Sequence, residues 1–280
     1  MNQAIYQRRL ENGTVLSSRN PTEVWRNWNP DRERWLFVAA HDDDIISGGG
    51  LTFIAAAADG IDVEAAITST GQAGYCRPEH KGIVQDLRRQ EAIESFAAMG
   101  IPEEKIYFLG FPDAQLPQFG GHRWTNSTTD SCVIAGSVGL QNSYTWLLRK
   151  TRPTRVFLPA LTDLHPDHQT THTEMLISIF HAHGNIWPEL GLPMETIPLI
   201  YEYQCYSDFC EPPDMRILVD DELMERKLAC FDAYRSQEQI EMTKALVRQF
   251  GPKEYIREKR FDMMIPGKYD YLFDAEAEKK

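Results

Sequence analysis

Hydrophobic and polar positions divide the chain into short apolar runs and longer stretches with helical spacing. Residues 35–40 form a continuous apolar run, as buried parallel strands do, and residues 62–68 alternate like a second strand. Further strands are predicted at residues 105–109, 155–158 and 198–203. Helices are predicted at residues 48–58, 84–99, 139–150, 169–181, 221–235 and 238–250.

This alternation predicts the fold class. Strands separated by helices form βαβ units, so we expect an α/β fold with a mostly parallel sheet and helices on both faces. No internal repeat or low-complexity linker interrupts the chain, which favours one domain over residues 35–274. The polar residues 1–34 are interpreted as an N-terminal arm packed on that domain, and residues 275–280 as a mobile tail.

Composition and charge exclude some functions. The 280 residues are 42% hydrophobic and carry a formal net charge of −12. An acidic chain without a Lys/Arg cluster is unsuited to nucleic acid, and the mixed charges of residues 248–260 are interpreted as a solvated helical face. The five cysteines show no CxxC pair, no apolar stretch reaches the ~18 residues of a membrane span, and the N-terminus has no apolar signal region. We therefore expect a cytoplasmic protein with reduced thiols.

Candidate metal ligands follow two of the predicted strands. Residues 41–44 come directly after the first strand, and residues 163–168 directly after the fourth. The carboxyl ends of parallel strands share one edge of the sheet, where ligands bind in α/β folds, so the two segments can converge. Two simpler interpretations stay open: the three aspartates could cap the following helix, and the histidines could be surface residues. His172, one turn further along, is interpreted as a helix-surface histidine rather than a further ligand.

The residue types in these segments suit a catalytic zinc site. His41 and Asp44 stand three apart at a strand-to-helix turn, so both can face one ion. Either His165 or His168 can complete a His/Asp/His set, and the other histidine can bond a developing oxyanion with Asp167 on its second ring nitrogen. A carboxylate adjacent to a ligand is suitably placed to take a proton from water.

Four motifs in this order resemble the LmbE-like, or PIG-L-like, de-N-acetylases. They are His41-Asp-Asp-Asp44, Arg88-Arg-Gln-Glu91, Phe108-Leu-Gly-Phe-Pro-Asp113 and Asp163-Leu-His-Pro-Asp-His168, and the likeness spans roughly residues 33–240. The family's signature is AHPDDE near the N-terminus with HPDH downstream. The resemblance implies a Rossmann-like fold and a zinc-dependent amidase with one zinc per chain. Its substrate would be a small-molecule N-acyl amino sugar, usually an N-acetylglucosamine-type sugar or conjugate that loses acetyl.

The resemblance also implies which residues bind the metal and take the proton. The positions of the three zinc ligands fall on His41, Asp44 and His168. The general base falls on Asp43, between two of these ligands in the sequence. Iron or manganese could occupy a set of this composition in place of zinc.

Four further positions match the family's pattern around the metal. The group that stabilises the tetrahedral intermediate or protonates the amine falls on His165, and Asp167 would orient it. Arg88 and Asp113 match positions that often contact sugar hydroxyls.

Two positions depart from the family pattern, since Asp42 stands in place of proline and Ile45 in place of glutamate. These changes motivate one alternative, a metal-binding or sugar-binding relative without activity. A second alternative, a metal-dependent phosphoesterase, would use the same residue types with two metals. A third, a dinucleotide-binding module, is suggested by residues 48–50, but the GxGxxG pattern is missing. The oligomeric state is not predicted.

Overall fold

The computed structural model of the protein describes residues 4–29, 31–130, 132–261 and 263–273, so the predicted tail lies outside the described residues. The strands are β1 (Ala4–Arg9), β2 (Val15–Ser18), β3 (Arg34–Ala39), β4 (Asp62–Ser69), β5 (Ile106–Phe111), β6 (Arg123–Trp124), β7 (Ser137–Val138), β8 (Arg155–Pro159), β9 (Leu199–Tyr203), β10 (Met215–Val219) and β11 (Lys253–Lys259). The helices are α1 (Gly50–Ala58), α2 (Val84–Ala98), α3 (Leu140–Thr151), α4 (Pro166–His183), α5 (Asp221–Phe231) and α6 (Ile240–Phe250). All five predicted strands and all six predicted helices are present.

The main sheet is mixed, with a parallel core. Within the described ranges its order is β2-β1-β10-β11-β9-β8-β3-β4-β5. The five strands from β9 to β5 pair in parallel, whereas β11, β10, β1 and β2 pair antiparallel. The predicted α/β class with a mostly parallel core is therefore confirmed.

Helices cover both faces of this core because its strands are apolar on both sides. In β3, Trp35 and Phe37 pack into a hydrophobic cluster that includes residues of α1, α2 and α5. Leu36 and Val38 pack into a second cluster, with residues of α3 and α4. Side chains alternate between the faces of a strand, so a strand covered on both faces is a continuous apolar run in the sequence.

Four strands of the sheet were not predicted. The N-terminal arm supplies β1 and β2, and the region after β9 supplies β10 and β11. The helical interpretation of residues 248–260 is wrong, because α6 ends at Phe250 and β11 follows it. In β11 only Glu254 and Ile256 are buried, so charged residues hide the alternation.

The N-terminal ends of β3 and β8 bury an ion pair among aromatic rings. Arg155 is fully buried, and its Nε lies 2.9 Å from a carboxylate oxygen of Glu33. It also donates to the hydroxyl of Tyr201 and to the carbonyl oxygen of Arg26. The guanidinium lies 5.5 Å from the ring centroid of Trp25. These contacts tie the arm to the parallel core.

The direction of the strand order reverses between β3 and β8. β3 leads to β4 on one side, and β8, which comes later in the chain, pairs with its other side. In open α/β sheets the crevice at such a switch point binds ligands. Residues 41–44 and 163–168 emerge on its two sides.

Cysteines and helix lengths bear on two expectations drawn from composition. The five cysteines all lie in described ranges and are free thiols. Among the described helices, none combines the length and the apolar character that a membrane crossing needs.

Candidate active site

The turn after β3 directs two candidate ligands to one point. The Asp44 carboxylate accepts a hydrogen bond of 2.7 Å from the backbone N–H of His41, so it closes the turn and makes no side-chain bond that caps the helix. A π-helical turn, Ile45–Gly49, follows and leads into α1. It packs so closely on the end of β9 that a Cβ at Gly48 would lie 1.9 Å from the carbonyl oxygen of Gln204, which only glycine permits.

The loop after β8 and the start of α4 present the second half of the site. The N-cap of α4 is His165, whose Nδ1 accepts the backbone N–H of Asp167 at 3.1 Å. Asp163 is fully buried and accepts the N–H groups of His165 and Tyr206. Its Oδ1 also lies 3.1 Å from Nδ1 of His168. These contacts orient Nε2 of His168 towards the turn after β3.

The three predicted ligands come together at a spacing that fits one metal ion. Nε2 of His168 lies 3.1 Å from Nδ1 of His41 and 3.2 Å from Oδ1 of Asp44. Nδ1 of His41 lies 3.4 Å from Oδ2 of Asp44. Tetrahedral ligands that bind zinc at about 2.1 Å stand about 3.4 Å apart. Two imidazoles and a carboxylate fit a catalytic zinc, which keeps its fourth position open. Metal ligation by these residues stays a prediction.

The electrostatics of the cluster favour a cation. Burial lowers the pKa of His168, but Asp44 and Asp163 outweigh it and raise that pKa to about 9. Burial likewise opposes the charge of His41, and Asp44 with Asp113 holds its pKa well above the ordinary value. A site that stabilises two protonated imidazoles also stabilises a divalent cation in place of those protons.

The second ring nitrogen of His41 faces carboxylates. Nε2 lies 3.0 Å from Oδ1 of Asp113 and 3.6 Å from Oδ2 of Asp167. The other oxygen of Asp113 accepts the backbone N–H of Ala73. A carboxylate on the far nitrogen of a ligating histidine fixes its tautomer and orientation. The contact of Asp113 is therefore with a candidate ligand, and its predicted contact with a sugar stays a prediction.

His165 stands beside the candidate ligands. Its ring centroid lies 4.7 Å from that of His41, and burial together with the nearby imidazoles lowers its pKa. Because Nδ1 accepts a backbone N–H, the neutral ring carries its proton on Nε2. The Asp167 carboxylate accepts the N–H groups of Ala114 and Leu116. The backbone N–H of Asp167, and not its carboxylate, therefore contacts the ring of His165.

Arg88 is buried against the aspartates. Its Nη2 lies 3.0 Å from Oδ1 of Asp43, its Nε lies 3.1 Å from Oδ2 of Asp42, and the residue is 4% exposed. The extra negative charge of Asp42 is therefore paired. Asp43 keeps 16% of its side chain exposed, more than its two neighbouring aspartates. The predicted contact of Arg88 with substrate stays a prediction.

The interpretation of His172 as a helix-surface residue is wrong. The side chain is fully buried, with Nδ1 2.9 Å from the carbonyl oxygen of Pro159 and Nε2 3.6 Å from Glu202. Burial lowers its pKa. His172 belongs to none of the candidate metal-ligating groups among the described residues. His172 lies on the face of α4 that packs against β8 and β9. The sequence pattern does not reveal that this face is buried.

Three residues near the ligands were given no role from the sequence. Asp163 holds His168, and Cys205 forms an alternative metal-ligating group with Asp44 and His168. The ring of Tyr206 stacks on His168 with centroids 5.1 Å apart. The last two follow β9, which neighbours β8. The rule that ligands gather at the carboxyl ends of strands could have indicated them.

Fold and site together define a Rossmann-like α/β protein with candidate metal ligands at the switch point of its sheet. The sequence model of the PIG-L family, described as GlcNAc-PI de-N-acetylase, matches residues 36–178, just over half of the 280 residues. The chain belongs to this family, as the four motifs predicted. The match includes both halves of the candidate site. Comparison with curated protein sequences gave no match.

Solved structures share the fold. N,N'-diacetylchitobiose deacetylase from Pyrococcus horikoshii is 24% identical, with 89% of each chain covered and a TM-score of 0.62. The 4-carboxy-2-hydroxymuconate hydratase from Pseudomonas putida KT2440 is 17% identical, with 84% of this chain and 100% of that chain covered and a TM-score of 0.60. The zinc-inhibited form of teicoplanin deacetylase is 16% identical, with 82% and 100% covered and a TM-score of 0.55. One fold thus carries different reactions, so the reaction must be argued from the site.

Proposed function

We propose that the protein is a zinc-dependent amidase that removes the N-acyl group of an N-acetylglucosamine-type sugar or conjugate. The observation that carries this proposal is the convergence of His41, Asp44 and His168, whose nearest ligand atoms are no more than 3.4 Å apart. Membership of the PIG-L family supports a sugar-related de-N-acetylase activity. The donor set supports one divalent ion for each chain.

The ligands and their partners would prepare the site before substrate binds. A divalent cation held there would polarise the amide carbonyl and lower the pKa of water from about 15.7 towards about 7. Asp113 holds the ring of His41 at 3.0 Å, and Asp163 holds the ring of His168 at 3.1 Å. With a cation in place of the second proton, each ring would keep its proton on the nitrogen that faces the carboxylate and ligate through the opposite nitrogen.

Three side chains would carry the reaction itself. Asp43, the most exposed of the three aspartates, takes a proton from the attacking water, and Arg88 fixes its carboxylate at 3.0 Å. His165 donates a hydrogen bond from Nε2 to the amide oxygen as that oxygen gains negative charge. The amine then leaves with the proton that Asp43 took.

Metal content and reaction products test this function together. We expect about one zinc for each chain, with release of a carboxylic acid and a free amine from N-acyl glucosamine conjugates. Two metals for each chain with hydrolysis of phosphate esters would instead support the phosphoesterase. Metal binding without turnover of any N-acyl sugar would identify an inactive relative and overturn the proposal.

A further inference from the structure

A groove of about 740 Å³ is lined in part by Cys205 and Tyr206, two residues next to the candidate metal ligands. It lies between the loop after β9 and the segment that runs from the end of α6 into β11. The apolar and aromatic residues of its wall are Leu51, Phe209, Pro213, Val247, Phe250 and Tyr255. Phe250 is 64% exposed and Tyr255 is 38% exposed. Large apolar side chains that stay open to solvent in a concave site favour an apolar ligand.

The buried charges of the groove are already paired within the protein. Nζ of Lys227 lies 2.9 Å from Glu254 and also donates to the carbonyl oxygen of Ser47. Glu254 accepts the backbone N–H groups of Leu51 and Thr52 as well. Because these charges have partners, covering them with an apolar group leaves no buried charge unpaired. The floor of the groove therefore suits a hydrocarbon chain.

Two residues connect the groove to the candidate centre. Tyr206 lines the groove, and its ring stacks on that of His168. Cys205 also lines it and lies within ligand distance of Asp44 and His168. The groove thus adjoins the candidate ligands through Tyr206 and Cys205, next to His168 and Asp44.

The predicted sugar contacts lie next to other residues of the site. Oδ1 of Asp113 lies 3.0 Å from Nε2 of His41, whose Nδ1 faces His168, and Arg88 donates a hydrogen bond to Asp43. An amide places its amine part and its acyl part on opposite sides of the carbonyl carbon. A sugar held near Asp113 and Arg88 would direct the acyl part towards Tyr206.

We propose that this groove receives the N-acyl group of the substrate, and that the protein prefers an acyl chain longer than acetyl. The proposal rests on the amidase function argued above. A methyl group would leave most of the 740 Å³ filled with water, whereas a longer chain covers Val247 and Phe250. Val247, Phe250 and Tyr255, which form part of the wall, lie outside the family match at residues 36–178, so the matched motifs do not account for the groove.

A series of N-acyl glucosamines from acetyl through butyryl and hexanoyl to octanoyl tests the proposal on the metal-loaded protein. Each methylene that enters the groove should raise kcat/KM about fourfold, which corresponds to ~0.8 kcal/mol. Rapid acetyl release with a flat or falling series would overturn the groove assignment and leave the amidase standing. Failure to hydrolyse any member would overturn both.

Variants of α6 locate the effect. Val247→Trp fills the groove and Phe250→Ala removes part of its wall, so both should lower kcat/KM for the octanoyl substrate much more than that for the acetyl substrate. Met242→Ala is the matched control, since Met242 is on the same helix, 64% exposed and not part of the lining. A gain with longer alkyl glycosides of N-acetylglucosamine, without a gain in the acyl series, would assign the groove to the aglycone and contradict the proposal.

Discussion

The two ends of β3 and β8 both bury charged side chains, with opposite consequences. At the N-terminal ends, Arg155 meets Glu33 at 2.9 Å, so each charge has its counter-charge inside the protein. At the carboxyl ends, His41, Asp44 and His168 direct ligand atoms to a common point. The first arrangement is complete, whereas the second gathers donors that one cation would satisfy together. Burial of charge alone therefore does not indicate a functional site, and it is the convergence of donor atoms that makes the carboxyl ends a candidate metal site.

Removing a candidate ligand at the carboxyl ends of β3 and β8 should cause the largest loss of activity. We expect His168→Ala to lose bound zinc and at least about 10³-fold in activity, because the cation supplies several kcal/mol of transition-state stabilisation. Metal analysis and acid release measure both effects. A variant that keeps one zinc and full turnover would remove His168 from the ligand set.

Removing the proposed base should separate chemistry from metal binding. Asp43→Asn is expected to keep its zinc and lose about 10² to 10⁴ in kcat, since the amide cannot accept the proton of water. Zinc content measured on the same sample is the control. Unchanged turnover would show that another group takes the proton.

Breaking the ion pair at the opposite end should affect stability alone. Arg155→Met leaves the buried carboxylate of Glu33 without its partner and should lower the free energy of unfolding by about 3–5 kcal/mol. Urea unfolding measures the loss, and activity of the folded fraction should not change. The double variant with Glu33→Gln should recover part of the stability. A double variant as unstable as the single one would contradict a paired charge.

Weakening the contact between a candidate ligand and its neighbouring carboxylate should have a smaller effect, a reduced affinity for zinc. Asp163→Asn weakens the hold on the ring of His168, so zinc affinity should fall about 10- to 100-fold. Competition with a chelator measures this change. Asp113→Asn is the parallel variant for His41, because Asp113 contacts the ring of that ligand. Unaltered zinc affinity in both variants would show that these carboxylates do not position the ligands.

The smallest expected effect is a pH dependence of the stability of the metal-free protein. The folded-state pKa of His168 is raised to about 9, above its ordinary value of 6.5. Its contribution to stability is therefore present in full below about pH 6.5 and is lost as pH rises through about 9. Thermal unfolding at several pH values checks this, and His168→Ala should flatten the difference.

Much of the parallel core could be predicted from the sequence. Its strands are covered on both faces, so β3 and β8 stand out as continuous apolar runs between turns. The strands β1 and β11 could not, because charged residues interrupt their apolar pattern, and β2 has only four residues, all of them at least partly exposed. The strand β10 alternates between buried and half-buried positions and was missed although its residues are mostly apolar. The core position of His172 was also missed, since helical spacing shows that α4 has an apolar face but not how wide the buried face is.

By itself, the sequence determined the family and the residue types that meet at the switch point. Segments that follow neighbouring parallel strands share one edge of the sheet, and local order is enough to place them there. Only the tertiary structure decided the partners: Arg88 to Asp42, Asp113 to His41 and the groove of α6 and β11 beside the site. The physical reason is that a side chain's partner depends on strand order and on packing between distant elements, and neither is encoded in a local pattern of polar and apolar residues.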